Sequence, residues 1–190
     1  MRRNVAAEAA SLQLTALGVP AVVQVSGGRA DEAVDAIRVA WEWCAADSSA
    51  ESSSSEPVVI EAFLDDDEAA VSEQRSQGKL ATADLAQLMD WLAPAVTTAA
   101  ITRQAGHMLM LHACAVADPQ TGATAVLVGP AGMGKTTVAR TLGRSLGYLT
   151  DETAAITSDN AVLAYPKPLS LVRPEDPGVK EQASPSSLGL

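Results

Sequence analysis

The sequence predicts an α/β (α+β) fold, in which a small N-terminal α+β unit precedes a module with a mixed or antiparallel sheet. Apolar β-branched runs alternate with stretches whose apolar residues recur at helical spacing, which indicates both strands and amphipathic helices. Short turns separate the later strands, and this favours hairpins over the βαβ crossovers of a doubly wound sheet. The expected boundaries are 1–100 for the first unit, 101–172 for the second and 173–190 for a loop or tail.

Composition sets limits on what the protein can bind. The chain has 190 residues, 47% of them hydrophobic and only 3% aromatic, so its core must be built from Ala, Val and Leu. The net charge of −10 arises within residues 1–100, which hold 6 basic and 16 acidic side chains. A surface of that sign repels nucleic acid and anionic membranes, so we expect neither as a partner. No apolar run approaches the roughly 20 residues that span a bilayer, which predicts a cytoplasmic protein.

The first unit contains periodic segments for both strands and helices. Residues 11–25 predict one or two strands broken at 18–20, and residues 57–64 have the β-branched content of another strand. Apolar spacing predicts helices over 31–45 and 82–99. The expected buried stripes are Val34, Ile37, Trp41 and Cys44 in the first helix, and Leu85, Leu88, Met89, Leu92 and Val96 in the second.

Polar segments and a proline divide these elements. Thr82 is the expected N-cap of the second helix, and Pro94 is expected to kink or end it. The acidic, serine-rich run 47–56 has nothing to bury and predicts a flexible surface loop. The four acids at 65–68 lack the alternating spacing and the glycine of a calcium loop, so a solvated loop is favoured over a cation site.

The two cysteines give no sign of a metal site or a disulfide. Cys44 and Cys114 lie far apart in sequence and outside any C-x-x-C or Cys/His ligand spacing. We therefore expect both to be reduced thiols in the core.

The second unit is expected to consist of short strands around one helix. Residues 107–117 and 125–128 predict buried strands that are joined by a turn at 118–122. The helix that follows has an apolar stripe and a glycine at its expected end. The helix residues are Val138, Leu142 and Leu146 with Gly147 as C-cap, and strands are expected over 148–156 and 161–165.

A glycine-rich loop lies between the strand over 125–128 and this helix. Residues 129–136 match the phosphate-loop pattern G-x-x-x-x-G-K-[ST], in which glycines let backbone N–H groups surround an anion. Lys135 offers a cation to the β- and γ-phosphates, and the Thr136 hydroxyl is placed to bind Mg²⁺. The strand–loop–helix context favours a nucleotide-phosphate site over a structural turn. The expected binding residues are Gly129, Pro130, Ala131, Gly132, Met133, Gly134, Lys135, Thr136 and Thr137.

An acidic pair follows the phosphate loop after a short interval. Such a loop needs a carboxylate to organise Mg²⁺ or the attacking group, and Asp151 and Glu152 come only one helix and one strand later. On a regular strand their side chains point to opposite faces, so that one can face the γ-phosphate; a solvated strand end is the alternative. His112 lies in an apolar run, where a lone histidine is more often a core residue, and His107 is expected at the surface.

Residues 107–172 resemble the catalytic module of the HPr kinase/phosphorylase family, which shares the fold of phosphoenolpyruvate carboxykinase. The resemblance rests on the histidine strand LHACAVA, the loop GPAGMGKTT, the acidic pair in YLTDE and the segment AYPKPLSLV. It implies that the loop binds the phosphates of ATP, that Mg²⁺ is held beside it, and that Asp151 acts as the base. The implied catalytic residues are Asp151, Glu152, His112 and Lys135, and the implied metal ligands are Thr136 and Asp151.

Two functions follow from this resemblance. The first is a phosphotransferase (kinase) that moves the γ-phosphoryl group of MgATP to a hydroxyl of a protein or small molecule, with Asp151 as the base. The second is a catalytically weak nucleotide-binding regulatory or accessory protein. A hydrolase with a conventional NTPase core would need a more distant carboxylate strand, which the sequence does not offer.

The chain departs from the family pattern at two places. Glu152 stands where the family typically has a second aspartate, and the chain ends at Leu190, before the family's further strands, helices and basic loop. These departures favour the accessory function, or else predict a fragment or a part supplied elsewhere. The acceptor, the base preference and the oligomeric state, a homo-oligomer included, stay open.

Overall fold

Two β-sheets and a β-hairpin organise the fold in the computed structural model, which describes residues 9–46, 56–173 and 178–190. Four α-helices accompany them in these ranges, so the expected α+β class with mixed and antiparallel sheets is confirmed. The predicted serine-rich loop over 47–56 lies, except for Glu56, outside the described residues.

The first sheet combines a hairpin with two parallel strands. Its strands are β1 (Ala10–Ala16), β2 (Val19–Ser26), β3 (Val58–Leu64) and β4 (Leu80–Thr82), in the order β1-β2-β3-β4. Strand β2 pairs antiparallel with β1 and parallel with β3, which in turn pairs parallel with β4. The predicted break near residue 18 is a two-residue turn, since Leu17 (φ 51°) and Gly18 (φ 74°) both take the left-handed conformation that a type I′ hairpin requires.

Three helices pack against this sheet. They are α1 (Ala30–Ala40), α2 (Glu68–Ser76) and α3 (Leu85–Gln104). The predicted helix over 31–45 is wrong beyond Ala40: Trp41 caps α1 and a 3₁₀ turn follows at Glu42–Cys44. Trp41 and Cys44 are nevertheless buried, as the apolar spacing predicted.

The acidic run at 65–68 is mostly exposed, as expected for a solvated loop, but it leads directly into α2 and its carboxylates have structural partners. Asp65 accepts hydrogen bonds from the N–H groups of Gly28 (2.7 Å) and Asp67 (3.0 Å). Asp66 pairs with Arg29 at 3.0 Å, and Asp67 caps α2, which starts at Glu68. Short carboxylates therefore stabilise a turn and a helix start at this position.

Helix α3 differs from the prediction at both ends. Its N-cap is Asp84, whose carboxylate accepts a hydrogen bond from Ala86 N at 2.8 Å. Thr82, the expected cap, belongs to β4 instead, and its hydroxyl oxygen accepts a hydrogen bond from Asp84 N. Pro94 lies inside the helix, which continues to Gln104. The long buried face of α3 explains why the roughly 3 kcal/mol cost of an interior proline does not end it.

The second sheet is antiparallel throughout and is built around β5. Its strands are β5 (Leu109–Ala117), β6 (Thr124–Val128), β7 (Gly147–Thr150), β8 (Thr153–Ile156) and β9 (Val162–Leu163). Strand β5 pairs with β6 on one edge and with β7 and β8 on the other, and β9 pairs with β8. The predicted hairpin plan is confirmed here, including the turn in which Asp118 accepts from Gln120 N at 2.7 Å.

The prediction of buried strands on either side of that turn is only partly right. In β5 the fully buried residues are Ala113, Cys114, Ala115 and Val116, and the strand starts at Leu109, two residues later than expected. Strand β6 is mostly exposed, with Val128 68% accessible. The reason is its place at the edge of the sheet, where β5 is its one strand partner among the described residues.

The helix after the glycine-rich loop is shorter than predicted. Helix α4 (Lys135–Leu142) ends at Gly143, and Gly147, the expected C-cap, begins β7. Gly143 is buried, and a Cβ at this position would lie 2.8 Å from the carbonyl oxygen of Ala139. The glycine is therefore required by the tight return of the chain from helix to strand.

The segment expected as a loop or tail contains a strand. Strands β10 (Leu169–Val172) and β11 (Lys180–Ala183) form an antiparallel hairpin, and a 3₁₀ turn follows at Ser186–Leu188. The expectation is thus wrong for the part of 173–190 that the structure describes, whereas 174–177 lie outside the described residues. Burial of Leu169 and Ala183 against neighbouring elements explains why this segment forms a hairpin, which its proline- and serine-rich composition did not indicate.

One hydrophobic core joins the first sheet, α1 and α3 to the second sheet. Ala155 of β8 and Tyr165 belong to the same cluster as Trp41, Leu88 and Leu92. A smaller cluster around Cys114, Ala139 and Tyr148 holds α4 on β5 and β7. Within the ranges given above, no helix combines the length and the apolar character needed to cross a bilayer.

The cap assignment of α3 predicts a stability loss on Asp84→Ala. Loss of the hydrogen bonds to Ala86 N and Gln87 N should lower the free energy of unfolding by about 0.5–2 kcal/mol, measured by urea denaturation. Glu73→Ala, at an exposed residue inside α2, is the control and should change stability by no more than about 0.5 kcal/mol. Equal effects of the two substitutions would contradict the assignment.

Candidate functional site

The glycine-rich loop lies between the end of β6 and the start of α4. Gly132 (φ 81°) and Gly134 (φ 83°) take the left-handed conformation, which strains any residue with a Cβ, so their identity follows from the backbone path. The ammonium group of Lys135 donates to the carbonyl oxygens of Gly129 (2.7 Å) and Pro130 (3.0 Å). The lysine therefore lies back across the loop that precedes it.

The first residues of α4 meet the acidic pair. The Thr136 hydroxyl donates to Asp151 Oδ2 at 3.0 Å, although the residues are 15 positions apart. The other oxygen, Asp151 Oδ1, lies 3.3 Å from the Tyr148 hydroxyl. Asp151 is 4% exposed and is thus held in one orientation by groups on α4 and β7.

A break in the strand brings both acidic side chains to one place. The segment predicted as one strand over 148–156 consists of β7 and β8, separated by a bend at 151–152, and the pairing of β7 with β5 is itself irregular between Ala115 and Val116. The expectation that Asp151 and Glu152 point to opposite faces is wrong, because it assumed a regular strand. Both carboxylates instead reach the same cation, Lys167.

Lys167 is the residue of the site that sequence reasoning missed. Its ammonium nitrogen lies 3.2 Å from Asp151 Oδ1 and 3.0 Å from Glu152 Oε2, and the whole residue is 0% exposed. From the sequence, Lys167 was only one of three late basic candidates, with Arg173 and Lys180, and no contact with the acidic pair was expected. A lysine between two prolines, close after the acidic pair, was the available signal, because a charged residue in such a restricted segment needs a nearby partner.

These charges perturb one another in a consistent way. Burial opposes the charge on Lys167, but attraction to Asp151 and Glu152 outweighs it and raises the pKa of Lys167. Burial also opposes the charge on Glu152, yet Lys167 holds the pKa of this carboxyl below its ordinary value. Burial and then the charge of Asp151 raise the pKa of Tyr148, so its hydroxyl is protonated at neutral pH.

The cysteines are buried free thiols, as predicted. Burial raises the pKa of Cys44 to about 12 although the charge of Lys167 opposes this, and burial raises the pKa of Cys114 as well. Both groups are therefore protonated and unreactive at neutral pH.

His112 lies at the mouth of the site and not in the core. It is exposed, and its Nδ1 is 3.1 Å from the carbonyl oxygen of Glu152, which can only accept a hydrogen bond. Nδ1 therefore carries a proton, and in the neutral ring Nε2 is an acceptor. His107 is exposed in the turn before β5, as expected.

The candidate site is an open cleft of about 430 Å³ between the loop, the acidic pair and the β10–β11 hairpin. Most of the predicted residues meet here, and Lys167, Ser170, Leu171, Val172 and Lys180 add a wall that was not predicted. Gly129, Pro130 and Met133 belong to the loop but do not line the cleft, and Met133 is 72% exposed. The predicted lining residues are Ala131, Gly132, Gly134, Lys135, Thr136, Thr137, His112, Asp151 and Glu152.

A larger groove of about 610 Å³ lies elsewhere, between α1, α3 and β11. It shares Lys180 with the candidate site but contains none of the loop, acidic-pair or histidine residues. Volume alone would select this groove. The convergence of charged groups selects the smaller cleft.

Within the described ranges, no group of three or more His, Cys, Asp or Glu side chains is arranged to hold a metal ion. The protein oxygens that fit a hard cation are those of Thr136 and Asp151, 3.0 Å apart at the start of α4. A Mg²⁺ ion typically takes one or two protein ligands together with substrate phosphates, so this pair fits a metal that arrives with a nucleotide.

The chain was compared with protein-family models, curated proteins and solved structures, and none of them matches it.

The lowered pKa of Glu152 predicts a pH-dependent effect of Glu152→Gln. A folded-state pKa below the ordinary value of about 4.3 gives stability that is present above that value and lost as pH falls through the folded pKa. Glu152→Gln should therefore lower stability at pH 7, and the deficit should shrink towards pH 3, as measured by urea denaturation across this range. Glu73→Gln, at an exposed glutamate on α2, is the control; a deficit in Glu152→Gln that does not vary with pH would refute the ion pair.

Proposed function

We propose that this protein is an ATP-dependent phosphotransferase of the HPr kinase-like type, which moves the γ-phosphoryl group of MgATP to a hydroxyl of a protein or small molecule. The observation that carries the proposal is the 3.0 Å contact between Thr136 Oγ1 and Asp151 Oδ2. It joins the first turn of the helix behind a phosphate-loop sequence to a carboxylate, and phosphoryl transfer requires these two parts side by side.

The loop accounts for the recognition of the phosphates. The backbone around Gly132 and Gly134 has no side chain that would obstruct an anion, and α4 directs its positive end towards the cleft. Lys135 exchanges two neutral carbonyl partners for phosphate oxygens when nucleotide binds. An anion is the better acceptor for an ammonium group, which favours this exchange.

Thr136 and Asp151 would hold the magnesium ion, which when bound offsets negative charge on the phosphates. In the transfer step, Asp151 accepts the proton of the acceptor hydroxyl while the hydroxyl oxygen forms a bond to the γ-phosphorus. The bond from the γ-phosphorus to the bridging oxygen breaks, and ADP leaves with that electron pair. Lys135 offsets the negative charge of the phosphoryl group during its transfer. His112, at the mouth of the cleft, can orient the acceptor through Nε2.

A nucleotide-binding regulatory or accessory protein is the second candidate. The observation in its favour is that both oxygens of Asp151 have protein partners and the residue is 4% exposed. A carboxylate in this state resembles a structural group more than a free base. Turnover decides between the two candidates, whereas nucleotide binding is common to both.

Removal of the loop cation should weaken nucleotide binding. Lys135→Ala loses charge-assisted hydrogen bonds worth about 1.5–3 kcal/mol, so its affinity for MgATP should fall roughly 10- to 100-fold in calorimetric titration. Lys79→Ala, just before β4 and outside the cleft, is the matched control. If the wild-type protein binds neither MgATP nor MgADP, the proposed function fails.

Removal of the base should slow the chemistry beyond any loss of MgATP affinity that follows from the role of Asp151 as a metal ligand. Asp151→Asn keeps the shape of the side chain but cannot take a proton, so release of labelled phosphate from γ-labelled ATP in single-turnover experiments, in which water takes the place of the acceptor hydroxyl, should slow by roughly 10²–10⁴-fold. The affinity of the variant for MgATP, measured in parallel, separates loss of catalysis from loss of the site. Turnover equal to that of the wild type would contradict the role of Asp151 as the base and favour the accessory function.

A further inference from the structure

A completely buried lysine stands between the two carboxylates of the proposed site. Lysine is almost never fully buried without a partner, and here the residue is 0% exposed although it borders an open cleft. Three acceptors surround its ammonium nitrogen: Asp151 Oδ1 at 3.2 Å, Glu152 Oε2 at 3.0 Å and the carbonyl oxygen of Pro168 at 3.1 Å. Three acceptors match the three N–H donors of an ammonium group, so this nitrogen is both charged and saturated.

The chain around this lysine is rigid. Pro166 and Pro168 restrict the backbone on both sides of Lys167. Tyr165 anchors the segment, since its N–H donates to the carbonyl oxygen of Leu149 at 2.8 Å and its hydroxyl lies 2.8 Å from Thr97 Oγ1 on α3. The backbone that carries Lys167 is thus fixed, and its ammonium group is held in one position.

We infer that Lys167 is a built-in cation that occupies the position a divalent metal would otherwise take between Asp151 and Glu152. This inference rests on the proposed function, and it specifies how the acidic pair serves it. Lys167 neutralises one of the two negative charges and turns Asp151 so that Oδ2 faces Thr136 and the loop. Lys167 is therefore a positioning residue, and the site takes one Mg²⁺ with its nucleotide.

The position of Lys167 also explains why two adjacent carboxylates are tolerated here. Two carboxylates that converge on one point repel each other unless a cation separates them. Water can screen this repulsion only in part, because the side chain of Glu152 is 39% exposed but that of Asp151 is 3% exposed. Shortening Lys167 to alanine would remove the cation and leave a polar space that opens on the cleft. Such a space, bounded by two carboxylates, suits a hydrated divalent cation.

The test is metal rescue in the nucleotide-free protein. The thermal unfolding midpoint of Lys167→Ala should be lower than that of wild type. At a Mn²⁺ concentration of roughly 100 times the dissociation constant, it should rise by about 5–10 °C. Wild type and Lys167→Met, in which a long apolar side chain fills the same space, should show no such rise. If Lys167→Ala does not fold in metal-free buffer, refolding with Mn²⁺ is the supporting result, and failure to refold with Mn²⁺ overturns the inference.

A second readout uses nucleotide and separates this inference from the proposed function. With saturating adenosine 5′-(β,γ-imido)triphosphate, electron paramagnetic resonance titration should count one Mn²⁺ per wild-type chain and two per Lys167→Ala chain. Two Mn²⁺ per wild-type chain, or rescue of Lys167→Met equal to that of Lys167→Ala, would overturn the inference while the function stands. Absence of nucleotide binding in wild type would overturn the proposed function, and with it the predicted number of Mn²⁺ ions per nucleotide-bound chain.

Discussion

The antiparallel pairing of β5 on both of its edges is the constraint on which the candidate site depends. Ala113 of β5 lies opposite Val128, the last residue before the glycine-rich loop, and its N–H donates to the carbonyl oxygen of Glu152 at 3.0 Å on the other edge. One residue therefore has the loop on one side and the acidic pair on the other. Strands in a sheet are about 4.8 Å apart, so the side chains of Thr136 and Asp151 can meet across β5.

The ion triad that results is a poor device for stability alone. Replacing a buried ion pair by apolar residues of similar volume is often neutral or stabilising, because desolvation of the charges costs as much as their attraction returns. A buried lysine with two carboxylates on the wall of a cleft thus calls for a reason other than folding. Control of the orientation and the charge of Asp151 is such a reason, and it agrees with the Thr136 contact on the opposite oxygen.

The parts of the fold that local patterns determine were predictable, and the parts that long-range contacts determine were not. The loop glycines and the hairpin plan could be inferred from residue order, since Gly132 and Gly134 are needed by the backbone itself. Strand β11 and the burial of Lys167 depend on residues distant in sequence, and for β11 the composition of 173–190 suggested a loop or tail. The opposite-face argument for the acidic pair failed because a break between β7 and β8 cannot be read from the residues of one strand.

The N-terminal unit, whose role the sequence left open, contributes to the site through α3. Thr97 of this helix bonds to the Tyr165 hydroxyl at 2.8 Å, and Tyr165 lies in the core shared with the first sheet. Lys167 follows two residues later, so the position of its ammonium group depends on where α3 packs. The long helix, which an interior proline does not end, therefore connects the first sheet to the charged centre of the second.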